Sequence, residues 1–372
     1  MTTTRRPRRR AGARRVAASA ILALVAGTVA ACGSGPVSGP ATTPAAGGRP
    51  AATAPPRAGP TDPTGRDRPI PPPAALEPFN ALGAPDDGQW HAAGRRVDGV
   101  TAVYETSLVP PGGSEAAGLA WMDTHLLTAR LYSGSRSPGG GPYRYTAPIQ
   151  PADATTLVAA FNGGFLMDTA GGGYVTEGRT VVPPVPGAAS LVIRADGTVD
   201  VGTWGADVTM APDVVAVRQN LVPLVAGGAP TPGAARPDWQ AWGNTCGATS
   251  CAHSVPGVEQ QWRSGVGVTA SGALVYVTGP LLTPMQLARL LAHAGVVRGM
   301  ELDINPTWTV LATYDPLIAG GPASPDNGAR LVPSTVQGPA TFFDPSWGRD
   351  FVTMSARPTS PATGVAARPS DP

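Results

Sequence analysis

Lysine is missing from the 372 residues, so all 27 basic side chains are arginine. Histidine occurs four times and cysteine three; aromatic residues make up 6% and charged residues 14%. So few soft ligands leave little material for a Cys/His zinc centre. No His-Glu-x-x-His, Gly-x-Ser-x-Gly or Walker phosphate loop occurs either. The run 265–270 (GVGVTA) imitates a dinucleotide fingerprint but leads into a strand instead of opening a helix, which sets nucleotide binding aside. No cofactor is expected. A divalent cation near Glu301 and Asp303 is conceivable chemistry, but no ligand spacing demands it, so no metal is assigned.

The formal charge of +2 hides an asymmetry. Arg5, Arg6, Arg8, Arg9, Arg10, Arg14 and Arg15 supply seven positive charges before residue 31, with no acid among them, and the rest of the chain is left at −5. The basic excess therefore lies in a leader and not on a folded face, which argues against nucleic acid as a partner.

What is abundant is glycine, at 48, and proline, at 43, about a quarter of the chain. Residues 1–31 read as an export signal: an arginine-rich start, then the apolar run 16–31, shorter than the ~20 residues a membrane span needs. The run ends Val29-Ala30-Ala31-Cys32, which is similar to the lipobox of bacterial lipoproteins. Cys32 is then the lipidated residue, and the protein sits on the outer face of the cytoplasmic membrane. Ordinary secretion is the alternative, and Arg14-Arg15 only weakly suggests twin-arginine export. Residues 32–75, rich in Pro, Gly and Ala, form a tether that cannot bury enough surface to order itself, and 358–372 reads as a disordered tail. Cys246 and Cys251 lie in a Gly/Ser/Thr-rich loop of an oxidising compartment, where a disulfide is the favoured reading.

Residues 76–357 carry the core. Alternation runs through 119–132, short apolar runs stand at 157–161, 190–194 and 214–217, and Asp196-Gly197 and Ser271-Gly272 mark hairpins. Thr283, Pro284 and Gln286 form a capping box opening a helix that Gly295 ends. A strand precedes this helix and the run 296–304 follows it, a strand–helix–strand unit expected to have parallel strands. The expected class is α+β: a mixed twisted sheet with few helices, in one domain after the tether.

Three stretches carry candidate chemistry. In 299–306 (GMELDINP), strand alternation puts Glu301, Asp303 and Asn305 on one face, where two acids could share acid–base work; a solvated acidic face is the alternative. Asn162, Gly163 and Gly164 follow an apolar strand, and the missing Cβ atoms let a ligand or another backbone approach, although such a stretch is more often a tight turn. Arg218 and Asn220 share strand parity, and Arg263 opens another strand. Each arginine fork suits phosphate or carboxylate, and each equally suits a structural acid partner.

Taken in order, AAFNGGF, GAASLVIRADGTVDVGTWG, VRQNL, RSGVGVTASGALVYVTG, the helix 284–294 and GMELDINPTW resemble bacterial phosphodiester glycosidase-domain proteins. These are relatives of the lysosomal uncovering enzyme, N-acetylglucosamine-1-phosphodiester alpha-N-acetylglucosaminidase. The resemblance spans roughly 119–351. It implies a mixed α/β fold and hydrolysis of a sugar-1-phosphate diester to free sugar and phosphomonoester. Asn162, Gly163, Gly164, Arg263 and Asp303 match the family's pattern. Where much of the family has Leu-Asp-Gly-Gly-Gly-Ser, this chain has Leu302-Asp303-Ile304-Asn305-Pro306-Thr307-Trp308, a stiffer and bulkier surround.

The expected roles follow. Asp303 activates water or stabilises the cationic sugar, with Glu301 as second choice. Asn162 bonds sugar hydroxyls or phosphate, and Arg263 with Arg218 holds the phosphate beside Asn220, Gly163, Gly164 and Asn305. The competing readings are a non-catalytic envelope lipoprotein that binds a glycan or phosphate-containing polymer, and an interaction domain whose acidic strand meets a partner protein.

Overall fold

The computed structural model describes residues 68–81, 83–235, 260–304 and 306–358. The expectations placed on Cys32, Cys246, Cys251 and Asn305, on the leader and on 359–372 lie outside the described residues.

Three antiparallel sheets make up the domain. The eight-stranded sheet runs His91–Ala93, Val103–Leu108, Ala117–Met122, Leu274–Leu282, Gln261–Thr269, Val296–Ile304, Pro223–Ala226, Ala229–Pro230. A five-stranded sheet runs Arg179–Val182, Tyr174–Thr176, Val214–Gln219, Ala189–Arg194, Val199–Thr203. The third, also five-stranded, runs Gly328–Arg330, Leu311–Tyr314, Leu157–Asn162, Phe351–Ala356, Leu127–Tyr132. Against them stand, among the described residues, two α-helices of four and ten residues.

The α+β expectation is therefore overturned: the domain is mostly β. The physical reason lies in the apolar runs. They are β-branched, four to six residues long and closed off by Gly or Pro, too short for helices. Their unbroken hydrophobicity comes from burial on both faces, not from parallel pairing. One core cluster draws on all three sheets, through Val266, Tyr276 and Met300, then Leu191 and Ile193, then Leu131, Phe161 and Met354. The outer faces are covered as well. The helix Pro284–His293 lays Leu287, Leu290 and Leu291 on Val275, Val277 and Val296, and Leu157, Ala160 and Tyr314 pack with Phe342 and Phe351.

The strand–helix–strand unit exists with a difference. Gln261–Thr269 pairs antiparallel with both Leu274–Leu282 and Val296–Ile304. The two strands flanking the helix thus run the same way but are separated by a third. The helix itself starts as its sequence dictates: Gln286 N donates to Thr283 Oγ1 (3.1 Å) and Thr283 N donates to Gln286 Oε1 (2.9 Å). Gly197 and Gly272 take positive φ in the two expected hairpins. The alternating stretch 119–132 is two strands in different sheets, divided at Asp123, whose carboxylate accepts from the His125 and Ile70 amides. Ile70 is buried beside Trp121 and Leu224, so the chain is already engaged with the domain at a point inside the segment read as tether.

Candidate functional site

Four strands from separate parts of the chain end close together. Asn162 closes Leu157–Asn162 and pairs in register with Phe351, which brings the preceding Arg349-Asp350 alongside. Arg218 and Gln219 close Val214–Gln219, and Asp303 lies one residue from the end of Val296–Ile304.

A bulge sets the position of Asp303. Arg263 opposes Ile304 while Gly265 opposes Glu301, so one extra residue is accommodated between them. Ser264 fills the gap: its hydroxyl accepts from Asp303 N and donates to Asp303 O, both at 3.1 Å. The Asp303 carboxylate then accepts from Arg349 Nη2 (2.7 Å) and from Ile304 N (2.8 Å). Burial pushes this carboxyl up to about 7, against the opposing pull of Arg349, the Ile304 amide and Arg218. Asp350, a second carboxylate of the cluster, adds to the rise.

Beside it lies a second buried ion pair. Arg218 Nε donates to Asp350 Oδ2 (2.8 Å) and Nη2 to Oδ1 (3.2 Å). Nη1 donates to the carbonyl of Gln219, and Nη2 also to that of Phe165. The Arg218 fork is thus filled by protein. The two glycines exist for this pair: a Cβ on Gly163 would run into the Asp350 carboxylate, and one on Gly164 into Asn220 Oδ1 and the Arg218 guanidinium.

Asn162 and Asn220 are engaged by protein as well. The Asn162 amide donates to Gly163 O (2.8 Å) and Ser264 Oγ (3.0 Å), and its oxygen accepts from Tyr276 OH (2.7 Å) and Val310 N (3.1 Å). Asn220 donates to the carbonyls of Glu301 and Leu302 and accepts from Phe165 N. Both asparagines therefore tie strand ends together.

Arg263 and Glu301 sit in a different layer. Glu301 pairs across the sheet with Gly265, whose missing Cβ points at Leu287 and Leu291, so this acid lies beneath the helix. There Arg263 Nη1 donates to Glu301 Oε1 (2.6 Å) and Nε to Leu282 O (2.8 Å), with both side chains fully buried. Glu301 and Asp303 are thus each held by their own guanidinium.

Arg349 is the residue that sequence reasoning passed over, along with Asp350, Ser264 and Tyr276. Its Nη2 holds Asp303, while Nε and Nη1 are buried without a hydrogen-bond partner. The residue is 9% exposed, and its guanidinium lies 4.7 Å from the ring centroid of half-buried Trp308. Two further buried atoms nearby lack partners: Trp347 Nε1, two residues away, and Ser137 Oγ, on the loop whose amide donates to Gly348 O. Buried polar groups are nearly always bonded, and a donor group left open in a packed interior marks a place where an acceptor is missing. The available signal was Arg-Asp immediately before an apolar strand, a pattern too short to stand out.

Cavities of about 230 and 720 Å³ lie elsewhere, the first lined by Glu105 and His91, the second by Arg130, Tyr145 and Arg194. No group of three His, Cys, Asp or Glu side chains among the described residues is placed to hold a metal ion.

No family model and no curated protein matches this chain. Among solved structures, the catalytic domain of zebrafish N-acetylglucosamine-1-phosphodiester alpha-N-acetylglucosaminidase, auto-inhibited by its pro-peptide, aligns at 16% identity and a TM-score of 0.42, over 72% of this chain and 88% of that one. A hypothetical protein from Synechocystis aligns at 11% identity and a TM-score of 0.34, over 71% of this chain and 64% of that one. The family expected from the sequence is met here by weak structural likeness alone.

Proposed function

We propose that the chain is an exported, lipid-anchored hydrolase that cleaves a sugar-1-phosphate diester. One observation carries the reading: a buried carboxyl lifted to about 7 touches a buried arginine that has two open donors. Arg349 takes the phosphate role that the sequence assigned to Arg218 and Arg263, because the geometry engages those two with acids inside the fold.

In this reading Arg349 donates to an oxygen of the diester from Nη1, one of its two nitrogens left without a partner, as a charge-assisted hydrogen bond. A water attacks the anomeric carbon and gives its proton to ionised Asp303, a stronger base than an ordinary carboxylate. The bond between that carbon and the phosphate oxygen breaks, and its electrons leave with the phosphomonoester. Such a leaving group, with a second pKa of about 6, needs little protonation. Asn162, Asn220, Gly163, Gly164 and Ser264 act as positioning residues that fix the strand ends; Arg263 and Glu301 brace the layer beneath.

The test is hydrolysis of a panel of sugar-1-phosphate diesters by the wild type, Asp303→Asn and Arg349→Gln. The expected result is turnover by the wild type and a loss of at least about 100-fold in each variant. Equal turnover by wild type and Asp303→Asn removes that residue from the mechanism, and saturable binding without turnover in the wild type points to a non-catalytic envelope lipoprotein. The anchor has its own test: incorporation of labelled palmitate by the full chain, expected to vanish in Cys32→Ser. Undiminished labelling of that variant rejects lipidation at Cys32.

A further inference from the structure

The strand Leu127–Tyr132 lies at the edge of its sheet, paired there with Phe351–Ala356. In an antiparallel pair, alternate residues turn their backbone groups toward the partner strand and away from it. The odd residues form the outward set here, because Ala129 N donates to Gly197 O (2.8 Å) and Leu127 N to Asp123 O (3.0 Å). Just past the strand, Ser133 N donates to Tyr145 O (2.9 Å) and Ser133 O accepts from Ala147 N (3.2 Å). Other parts of the chain thus complete the edge at both ends. Between these ties the carbonyl of Ala129 and the N–H and carbonyl of Leu131 face outward, and among the described residues no hydrogen bond reaches them. Leu131 is only 2% exposed, and buried backbone groups are nearly always bonded, so the gap marks a place for a missing partner.

The gap opens into the cavity of about 720 Å³. Thr128, Ala129, Arg130 and Leu131 all line it. Successive side chains of a strand point to opposite faces, so four consecutive lining residues mean that the cavity runs along the backbone edge itself. Ile193, Val215 and Ala216 give it an apolar floor. Its rim bears both signs of charge, Arg130, Arg144 and Arg194 with Asp153, Glu177 and Asp196. Much of that charge is already met by protein: Arg130 pairs with Asp153 (2.6 Å), Arg194 pairs with Asp213 (3.0 Å), and Glu177 accepts from Tyr145 N (2.9 Å). Such walls suit a ligand of little net charge with small apolar side groups. From Ala129 to Ser133 the edge spans about 13 Å at ~3.3 Å per residue, room for about three extended residues before Gly197 or Tyr145 blocks the way.

We propose that this cavity binds a short peptide, about three residues in extended form, which completes the open edge of Leu127–Tyr132 between Gly197 and Tyr145. Two N–H groups of the peptide donate to the carbonyls of Ala129 and Leu131, and one of its carbonyls accepts from Leu131 N, the hydrogen bonding of an added strand. Its small side chains rest on Ile193, Val215 and Ala216. Because both ends of the gap are closed, a long strand is excluded, and the edge is no template for pairing with another sheet. The site is distinct from the one around Asp303. Val214–Gln219 gives its start to the cavity and its end to the cluster of Arg218, while Phe351–Ala356 gives its end to the cavity and follows Asp350. Peptide binding therefore stands or falls apart from the proposed hydrolysis.

The test alters the ligand and leaves the protein intact, so no variant has to fold. Full-length protein is titrated calorimetrically with trialanine and with trialanine methylated on both peptide nitrogens, which removes the two donors that the edge carbonyls need. Trialanine is expected to bind one per chain with a dissociation constant of about 1 mM or lower, and the methylated peptide at least about tenfold more weakly. Hydrogen exchange locates the site: in saturating trialanine the Leu131 amide should exchange at least about tenfold more slowly than in the free protein. Absence of saturable trialanine binding overturns the proposal, and so does methylated peptide that binds equally well. Binding that leaves exchange at Leu131 unchanged places the peptide elsewhere and overturns it too.

Discussion

Asp303 touches its neighbours in a way that fixes its chemistry. Oδ2 holds Arg349 and Oδ1 holds the amide of Ile304, yet burial outweighs both and the carboxyl titrates at about 7. If the ionised form takes the water's proton, hydrolysis should rise with pH through about 7 and then level off, because protonation below that point removes the base. A rate that instead falls through this window would make Asp303 a proton donor and reverse its proposed role. The contrast with Arg218 shows why residue type alone misleads. Both arginines are buried and both meet an acid, but every nitrogen of Arg218 has an acceptor, the carbonyls of Gln219 and Phe165 completing what Asp350 begins. Arg349 does not, and only a three-dimensional account of donors distinguishes them.

At the scale of elements, the turn after Leu157–Asn162 shows what glycine achieves here. The Gly163 amide donates to Asp350 O (2.9 Å), and its Cα faces the Asp350 carboxylate so closely that no side chain fits. Gly163→Ala must therefore push Asp350 away from Arg218 and leave two buried charges imperfectly paired. A destabilisation of about 3 kcal/mol is expected, read as a lower urea midpoint than that of Gly171→Ala, where positive φ makes alanine unfavourable but nothing lies within reach of a Cβ. A midpoint loss no greater than that of Gly171→Ala would show that the turn can give way. The Asn-Gly-Gly stretch was legible as a place of close approach, and what approaches proved to be side chains of the same chain. The capping box at Thr283 and the two hairpins were legible in full, because each depends on residues within a few positions of one another. The bulge at Ser264 was not, since it is a mismatch between two strands and has no signature in either. It also explains why simple alternation in GMELDINP failed to describe how Glu301 and Asp303 are held.

The whole molecule explains why the class was misread. Three sheets share one core and each carries a second cover, that of the sheet with Val175, Val192 and Val217 being Val208 and Trp204, so strands buried on both sides lose the alternation that would have announced an antiparallel fold. Burial also puts two carboxyls in unfavourable surroundings. Glu105, on Val103–Leu108, is raised by burial to about 7, as is Asp303, from ordinary values of 4.5 and 3.8. Between pH of about 4 and 7 the folded chain therefore holds protons that the unfolded chain has released. Stability contributed by these protons is complete below about pH 4 and is lost as pH rises through 7, at about 3–4 kcal/mol for each group as an upper bound. The urea midpoint is accordingly expected to be lower at about pH 8 than at about pH 5, and Asp303→Asn, which keeps the neutral form at every pH, should lose less over the same interval. A wild-type midpoint that stays level or climbs toward pH 8 contradicts the burial argument for both carboxyls. A variant as pH-sensitive as the wild type would confine the effect to Glu105. If the expected pattern is found, the protonation state that the proposed reaction needs is also the less stable one, and the domain tolerates it because the strain falls where four strand ends are already tied together by Asn162, Asn220 and Ser264.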